Sequence, residues 1–190
     1  MHTKEIHKLF RMIGHDLYSS GAISTHGGNL SLRVDDTIYI TRKGSMLGHL
    51  GDDDIIETHI DVCELDEHCS RELVVHRRIY QETDAKAIVH AHPTHTIFRS
   101  LVSDEIHPLD SEAKLVFGAV PVLAPAESIA SPEAAEMLGH ALKDQPVAVL
   151  RSHGPFAKGA TMQEAFYAVS SLEISCHILD LRDSTGLALK

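Results

Sequence analysis

The stretch Ile88-Val-His-Ala-His-Pro-Thr-His-Thr96 decides how this chain is read. An apolar run ending in alternating histidines fits a β-strand. Residues two apart in a strand project from one face, so His90 and His92 can meet a single cation while Ala91 points away. A chain with 15 histidines in 190 residues holds on the order of one such pair by chance, so the reading needs another ligand. Leu150-Arg-Ser-His-Gly154 supplies it: a second apolar strand beginning at Val147 runs into His153 and a glycine turn. Three imidazoles with a fourth position left open match catalytic zinc, whereas structural zinc closes all four positions.

The segments around these two strands supply helices. Thr3 to Ser19 carries Ile6, Leu9, Phe10, Ile13 and Leu17 at helical spacing, which predicts an amphipathic helix stopped near Gly21. Asn29 to Val34 and Thr37 to Thr41 alternate apolar and polar around Asp35-Asp36 and read as a hairpin. A helix is expected over Ser70 to Glu82, with Ser70 as its N-cap and Glu72 in its first turn. After the strand Ala87 to His90 come a helix following Pro93 and a strand near Val120 to Ala124. A helix opened by Ser131-Pro132, a strand over Val147 to Arg151 and a long helix from about Thr161 to Leu181 complete the chain. Strands and helices are interspersed without strict alternation, so a mixed sheet sandwiched by helices is expected.

Composition narrows the partners. The 190 residues are 43% hydrophobic and 23% charged, suiting one domain over residues 1–190 without linker or repeat. No apolar run reaches the ~18 residues of a membrane span and the start has no signal-peptide core, so a cytoplasmic protein is expected. Cys63, Cys69 and Cys176 form no Cys-x-x-Cys pair and read as reduced thiols. A net charge of −10 without a Lys/Arg stripe disfavours nucleic acid, while a small anion held by a few local cations remains open.

Two segments could hold that anion. In His26-Gly-Gly-Asn29 the glycines either form a tight turn or let backbone N–H groups curl round an anion beside the Asn29 amide. Thr41-Arg-Lys-Gly44 is either a solvated basic turn or a phosphate site. In Ser70-Arg-Glu72 the carboxylate either complements a helix dipole or, if it faces the histidines, acts as an acid/base. His95 is a candidate to support the metal ligands from behind.

In this order, Gly-Gly-Asn-Leu-Ser, Thr-x-x-Gly, Ser-x-Glu, His-x-His and His-Gly resemble the class II aldolase/adducin family, over roughly Leu9 to Leu179. The resemblance is nearest to the branch that cleaves L-fuculose 1-phosphate. It implies an α/β fold of three αβα layers around a mixed, largely antiparallel sheet. It also implies one Zn²⁺ per subunit on His90, His92 and His153, with Glu72 as acid/base. Gly28, Asn29, Lys43, Gly44, Ser70 and Arg71 would surround the phosphate of a dihydroxyacetone-phosphate unit. Zinc would act as a Lewis acid while the C3–C4 bond breaks and L-lactaldehyde leaves. The implied assembly is a homotetramer with active sites between subunits.

Some positions depart from the family pattern. Lys43 and Arg71 stand where relatives often carry Thr and Ser. The tyrosines that protonate the aldehyde in fuculose-phosphate-cleaving relatives have no counterpart here, leaving Asp110 or Glu112 as stand-ins. Methylthioribulose-phosphate dehydratases and sugar-phosphate epimerases of the family are alternatives, although the ribulose-phosphate epimerases carry Asp where Glu72 stands. An adducin-like interaction module is the non-enzyme alternative.

Overall fold

The computed structural model describes residues 2–62 and 64–186, so Cys63 lies outside the described residues. Helix α1 (Thr3–Ser19) opens the chain and buries Ile6, Phe10, Ile13 and Leu17, the stripe that its spacing predicts. Full burial of each such side chain contributes about 1.5–3 kcal/mol. The hairpin β1 (Asn29–Val34) and β2 (Thr37–Thr41) follows at the expected residues, with Asp35 at positive φ in its turn. Strand β3 (Ile55–His59) extends this sheet. Then come α2 (Leu73–Glu82), β4 (Ala87–His90), α3 (Thr94–Val102) and the short β5 (Glu105–Ile106). Helix α4 (Ser111–Val116), β6 (Val120–Leu123), α5 (Pro132–Ala141), β7 (Val147–Leu150), β8 (Gly154–Gly159) and α6 (Met162–Thr185) complete the order.

The strands lie in the order β3-β2-β1-β4-β8-β7-β6-β5. Neighbours are antiparallel except for the parallel pair β6–β7, so the sheet is mixed and largely antiparallel, as expected. Both faces are covered. Val147 and Val149 face the core shared with α1, α4 and α6, while Ala148 and Leu150 face that of α2 and α5. Burial on both faces is why this strand reads as a continuous apolar run. Among the described residues no helix is long and apolar enough to cross a membrane.

One expected boundary is corrected. Ser70 does not cap α2; Glu72 is the cap position, just ahead of Leu73. The preceding residues are tied elsewhere: an isolated bridge joins Arg42 to Cys69, Ser70 N–H donates to Thr41 O, and Leu73 N–H closes a turn on Ser70 O. Ser131 and Thr161 do cap α5 and α6, each accepting a backbone N–H with its side chain.

Candidate active site

Strand ends assemble the site. Antiparallel register sets Asn29, the first residue of β1, opposite His90, the last of β4, and sets His90 opposite Phe156 of β8. The β7–β8 turn then brings His153 over the end of β4. That approach requires glycine at 154, where φ is +145° and a Cβ would lie 2.2 Å from the Ala91 carbonyl oxygen. Gly28 is constrained likewise, with φ +76° and a Cβ position 2.7 Å from the His90 carbonyl oxygen. Gly28 therefore fits the tight-turn reading of its motif, and the close backbone approach is a second reason for glycine there.

The three imidazoles converge. His90 Nε2 lies 2.9 Å from His92 Nε2 and 3.2 Å from His153 Nε2. His90 donates its Nδ1–H to Pro155 O at 2.9 Å and His153 donates its own to Ser128 O at 3.0 Å, which turns both Nε2 lone pairs inward. Burial, reinforced by the neighbouring imidazoles, holds His90 well below the usual histidine range. Burial and then His153 push His92 down to about 4, and burial lowers His153. With both Nδ1–H groups engaged, the His90 and His153 lone pairs face one another at 3.2 Å, an arrangement that a cation between them would relieve. A tetrahedral ion with bonds of about 2.0–2.1 Å would separate its ligand atoms by about 3.3 Å, close to the spacing seen. Among the described residues this is the one cluster able to hold a metal ion.

Glu72 is 5% exposed. Its Oε1 accepts from Ala130 N–H at 3.0 Å, and its Oε2 is buried without a partner among the described residues. Burial lifts its carboxyl to about 7, opposed only by that single N–H. Ala130 itself sits at φ +53°, a conformation costing a non-glycine residue about 1 kcal/mol. The segment 127–130 thus touches two candidate groups, through Ser128 O on His153 and Ala130 N–H on Glu72.

One cleft of about 590 Å³ joins these groups to the expected anion site. Gly28, Asn29, Lys43, Gly44, Ser70 and Arg71 all border it, together with Glu72 and the three histidines. The Arg42–Cys69 bridge and the bond from Lys43 N–H to His68 O bring the basic turn beside Ser70-Arg71. Gly44 needs its positive φ of +79° to make that turn. Neither Lys43 nor Arg71 has an ion-pair partner among the described residues.

One expectation falls away, and the two stand-ins for the aldehyde acid lie outside this chain's own cleft. His95 turns from the histidine triad, bonding Asp180 through Nδ1 at 2.6 Å and stacking on His177. Asp110 caps α4 by accepting from Ala113 N–H, Glu112 accepts from Ser171, and neither borders the cleft. Ile129 and His26 do border it and were not singled out. His76 also escaped the sequence reading, although Glu72, His76 and Tyr80 follow one another at four-residue spacing along a single helix face.

The sequence matches the profile described as Class II Aldolase and Adducin N-terminal domain over residues 9–179. The chain belongs to the class II aldolase and adducin family. Its relatives in this family include the L-fuculose phosphate aldolase of Methanocaldococcus jannaschii, 32% identical over 167 residues, or 87% of this chain and 91% of the relative. The crystal structure of L-fuculose-1-phosphate aldolase from Thermus thermophilus superposes with a TM-score of 0.91 at 36% identity, over 96% of this chain and 98% of that one. The 3-oxo-tetronate 4-phosphate decarboxylase of Cupriavidus necator is 26% identical over 94% of this chain and 85% of its own length. These likenesses support lyase chemistry for this class II aldolase, in a site whose histidine triad can hold a metal ion.

Proposed function

We propose that this class II aldolase is zinc-dependent and cleaves a ketose 1-phosphate, foremost L-fuculose 1-phosphate, reversibly to dihydroxyacetone phosphate and L-lactaldehyde. The observation that carries this reading is one cleft holding three convergent Nε2 atoms, a buried carboxylate, and the cations Lys43 and Arg71, which have no ion-pair partner among the described residues. His90, His92 and His153 would hold the ion, and three imidazoles favour zinc by ligand type. Bound there, it would supply Lewis-acid polarisation of the substrate's carbonyl and hydroxyl oxygens.

The chain's own residues account for the rest. Lys43 and Arg71, with the backbone around Gly28, Gly44 and Ser70, hold the phosphate dianion at the far side of the cleft. Glu72 handles the proton. In the cleavage direction the C4 hydroxyl proton passes to solvent, C4–O becomes the aldehyde carbonyl, the C3–C4 electron pair stays with C3, and Glu72 gives a proton to C3 of the three-carbon unit. In condensation the same transfers run backwards and Glu72 removes the C3 proton. A carboxyl lifted to about 7 is poised for both directions near neutral pH.

The setting that this reading implies is the cytoplasm. We further read the assembly as a homotetramer with sites between subunits. Exposed apolar side chains on α3 (Phe98, Leu101, Val102) and α6 (Ile174, Leu181) support an interface there.

The decisive assay couples dihydroxyacetone phosphate release from L-fuculose 1-phosphate to a reporter enzyme, with and without a chelator, for wild type and Glu72→Gln. Release that a chelator stops and the substitution abolishes is expected. Loss of water without carbon–carbon cleavage would favour a dehydratase. Release of CO₂ from a phosphorylated keto acid would favour the decarboxylase chemistry of the Cupriavidus relative. A metal-loaded protein inert to all sugar phosphates would favour an adducin-like module.

A further inference from the structure

Beneath the cleft, the side of the sheet covered by α2 carries a buried polar chain that none of the roles above uses. His76 is fully buried. Its Nε2 lies 2.5 Å from Asn29 Oδ1, and its Nδ1 lies 2.6 Å from Ser31 Oγ. Ser31 Oγ in turn lies 2.7 Å from the Tyr80 hydroxyl. Asn29 alone of these four borders the cleft. The edge of the His76 ring packs against Phe156, whose own ring stacks on His90 at 3.9 Å.

The chemistry of each member fixes the direction of this chain. An amide oxygen only accepts, so His76 Nε2–H donates to Asn29 Oδ1. Burial drives the His76 pKa down to about 3, so the ring is neutral and Nδ1 accepts from the Ser31 hydroxyl. Ser31 Oγ then accepts from Tyr80 O–H. The reverse direction needs the Asn29 amide flipped, Nδ1–H donating to Ser31, and Ser31 donating to Tyr80. It would strand the Tyr80 proton, because the Tyr80 hydroxyl is buried and bonds only Ser31 among the described residues. A buried unpaired hydroxyl proton is costly, so the forward direction wins.

We propose that this one-way relay from Tyr80 through Ser31 and His76 locks the Asn29 carboxamide with its N–H groups toward the cleft. Asn29 is then a fixed donor to the oxygens of an anionic substrate, and His76 is the positioning residue that enforces it. Only the identity of that anion rests on the sugar-phosphate reading. An unlocked asparagine could turn its carbonyl oxygen toward a phosphate and repel it. The relay removes that state before the substrate arrives, which is preorganisation by hydrogen bonding alone.

Two measurements test this on the metal-loaded protein. Long-range proton–nitrogen correlation spectra of ¹⁵N-histidine-labelled wild type identify which ring nitrogen is protonated, with His76 assigned from its absence in His76→Gln. A proton on Nε2 is expected; a proton on Nδ1 overturns the proposal. Calorimetric titration with dihydroxyacetone phosphate gives the second readout. His76→Phe should weaken binding about tenfold or more, the effect of losing one hydrogen bond to an anion. His76→Gln, whose amide can donate to Asn29 and accept from Ser31, should stay within about threefold of wild type. Unchanged affinity in a folded His76→Phe protein overturns the relay. Equal weakening in both variants does so too, because a purely structural role predicts it. If His76→Phe does not fold, the protonated nitrogen decides alone. If wild type binds no dihydroxyacetone phosphate, the substrate reading fails separately, and inorganic phosphate replaces it as the probe.

Discussion

Glu72 carries a charge that its surroundings resist. Burial lifts its carboxyl from 4.5 to about 7, so the folded protein binds this proton more tightly than the unfolded chain does. Its contribution to stability is therefore complete below about pH 4.5 and lost as the pH rises through about 7. Glu72→Gln cannot ionise. In metal-free protein the variant should match wild type at low pH and exceed it by about 3 kcal/mol at pH 8, as read from urea unfolding at both values. The histidine titrations are common to both proteins and drop out of the difference. Equal stability at pH 8 would remove the account of a strained carboxylate. At the other side of the cleft, Lys43→Ala and Arg71→Ala should each raise KM for a phosphorylated substrate about tenfold with kcat little changed. Steady-state kinetics that show no KM change would place the phosphate elsewhere. These side chains were visible in the sequence because charge and glycine mark them out. His76 was not: its partners are 45 and 47 residues away, and nothing local announces a buried relay.

Among the elements, those with a clean period were legible. Helix α1 and the β1–β2 hairpin stand at the expected residues because an apolar stripe and an alternating pair leave one solution each. Strand β8 was missed because Gly154-Pro155 reads as a turn, yet in the fold those residues pair with Leu150 and Val149. Helix α4 is six residues long, too short to show a period. The start of α2 was misplaced because Ser70, a good capping residue, is held by Thr41 across the chain instead. Gly154 carries the sharpest consequence of this layer. Gly154→Ala should displace the turn that holds His153 and weaken zinc binding at least about tenfold, with the fold retained. Competition with a chromophoric chelator measures it, and undiminished affinity would mean that the turn tolerates the shift.

For the whole molecule, the fold brings residues from six separate stretches to one cleft, and no local reading of the sequence shows the strand order that does so. The motif sequence did imply which family would produce it. Val102, 60% exposed on α3, sits with other apolar side chains that a partner subunit would cover. Val102→Glu should shift a tetramer toward smaller species in light scattering coupled to gel filtration, with the helical signal kept. A wild type that elutes as a monomer would instead leave that face without a role. The segment 127–130 has a consequence for redesign. Because Ser128 holds His153, a proposed metal ligand, and Ala130 holds Glu72, the proposed acid/base, the segment is a hinge-pin shared by two proposed functions. Inserting or deleting a residue there would detune both together, whereas side-chain changes at Ile129 alter only the cavity wall. Grafting a new substrate preference onto this scaffold is therefore best attempted by exchanging that one side chain and leaving the backbone of its turn untouched.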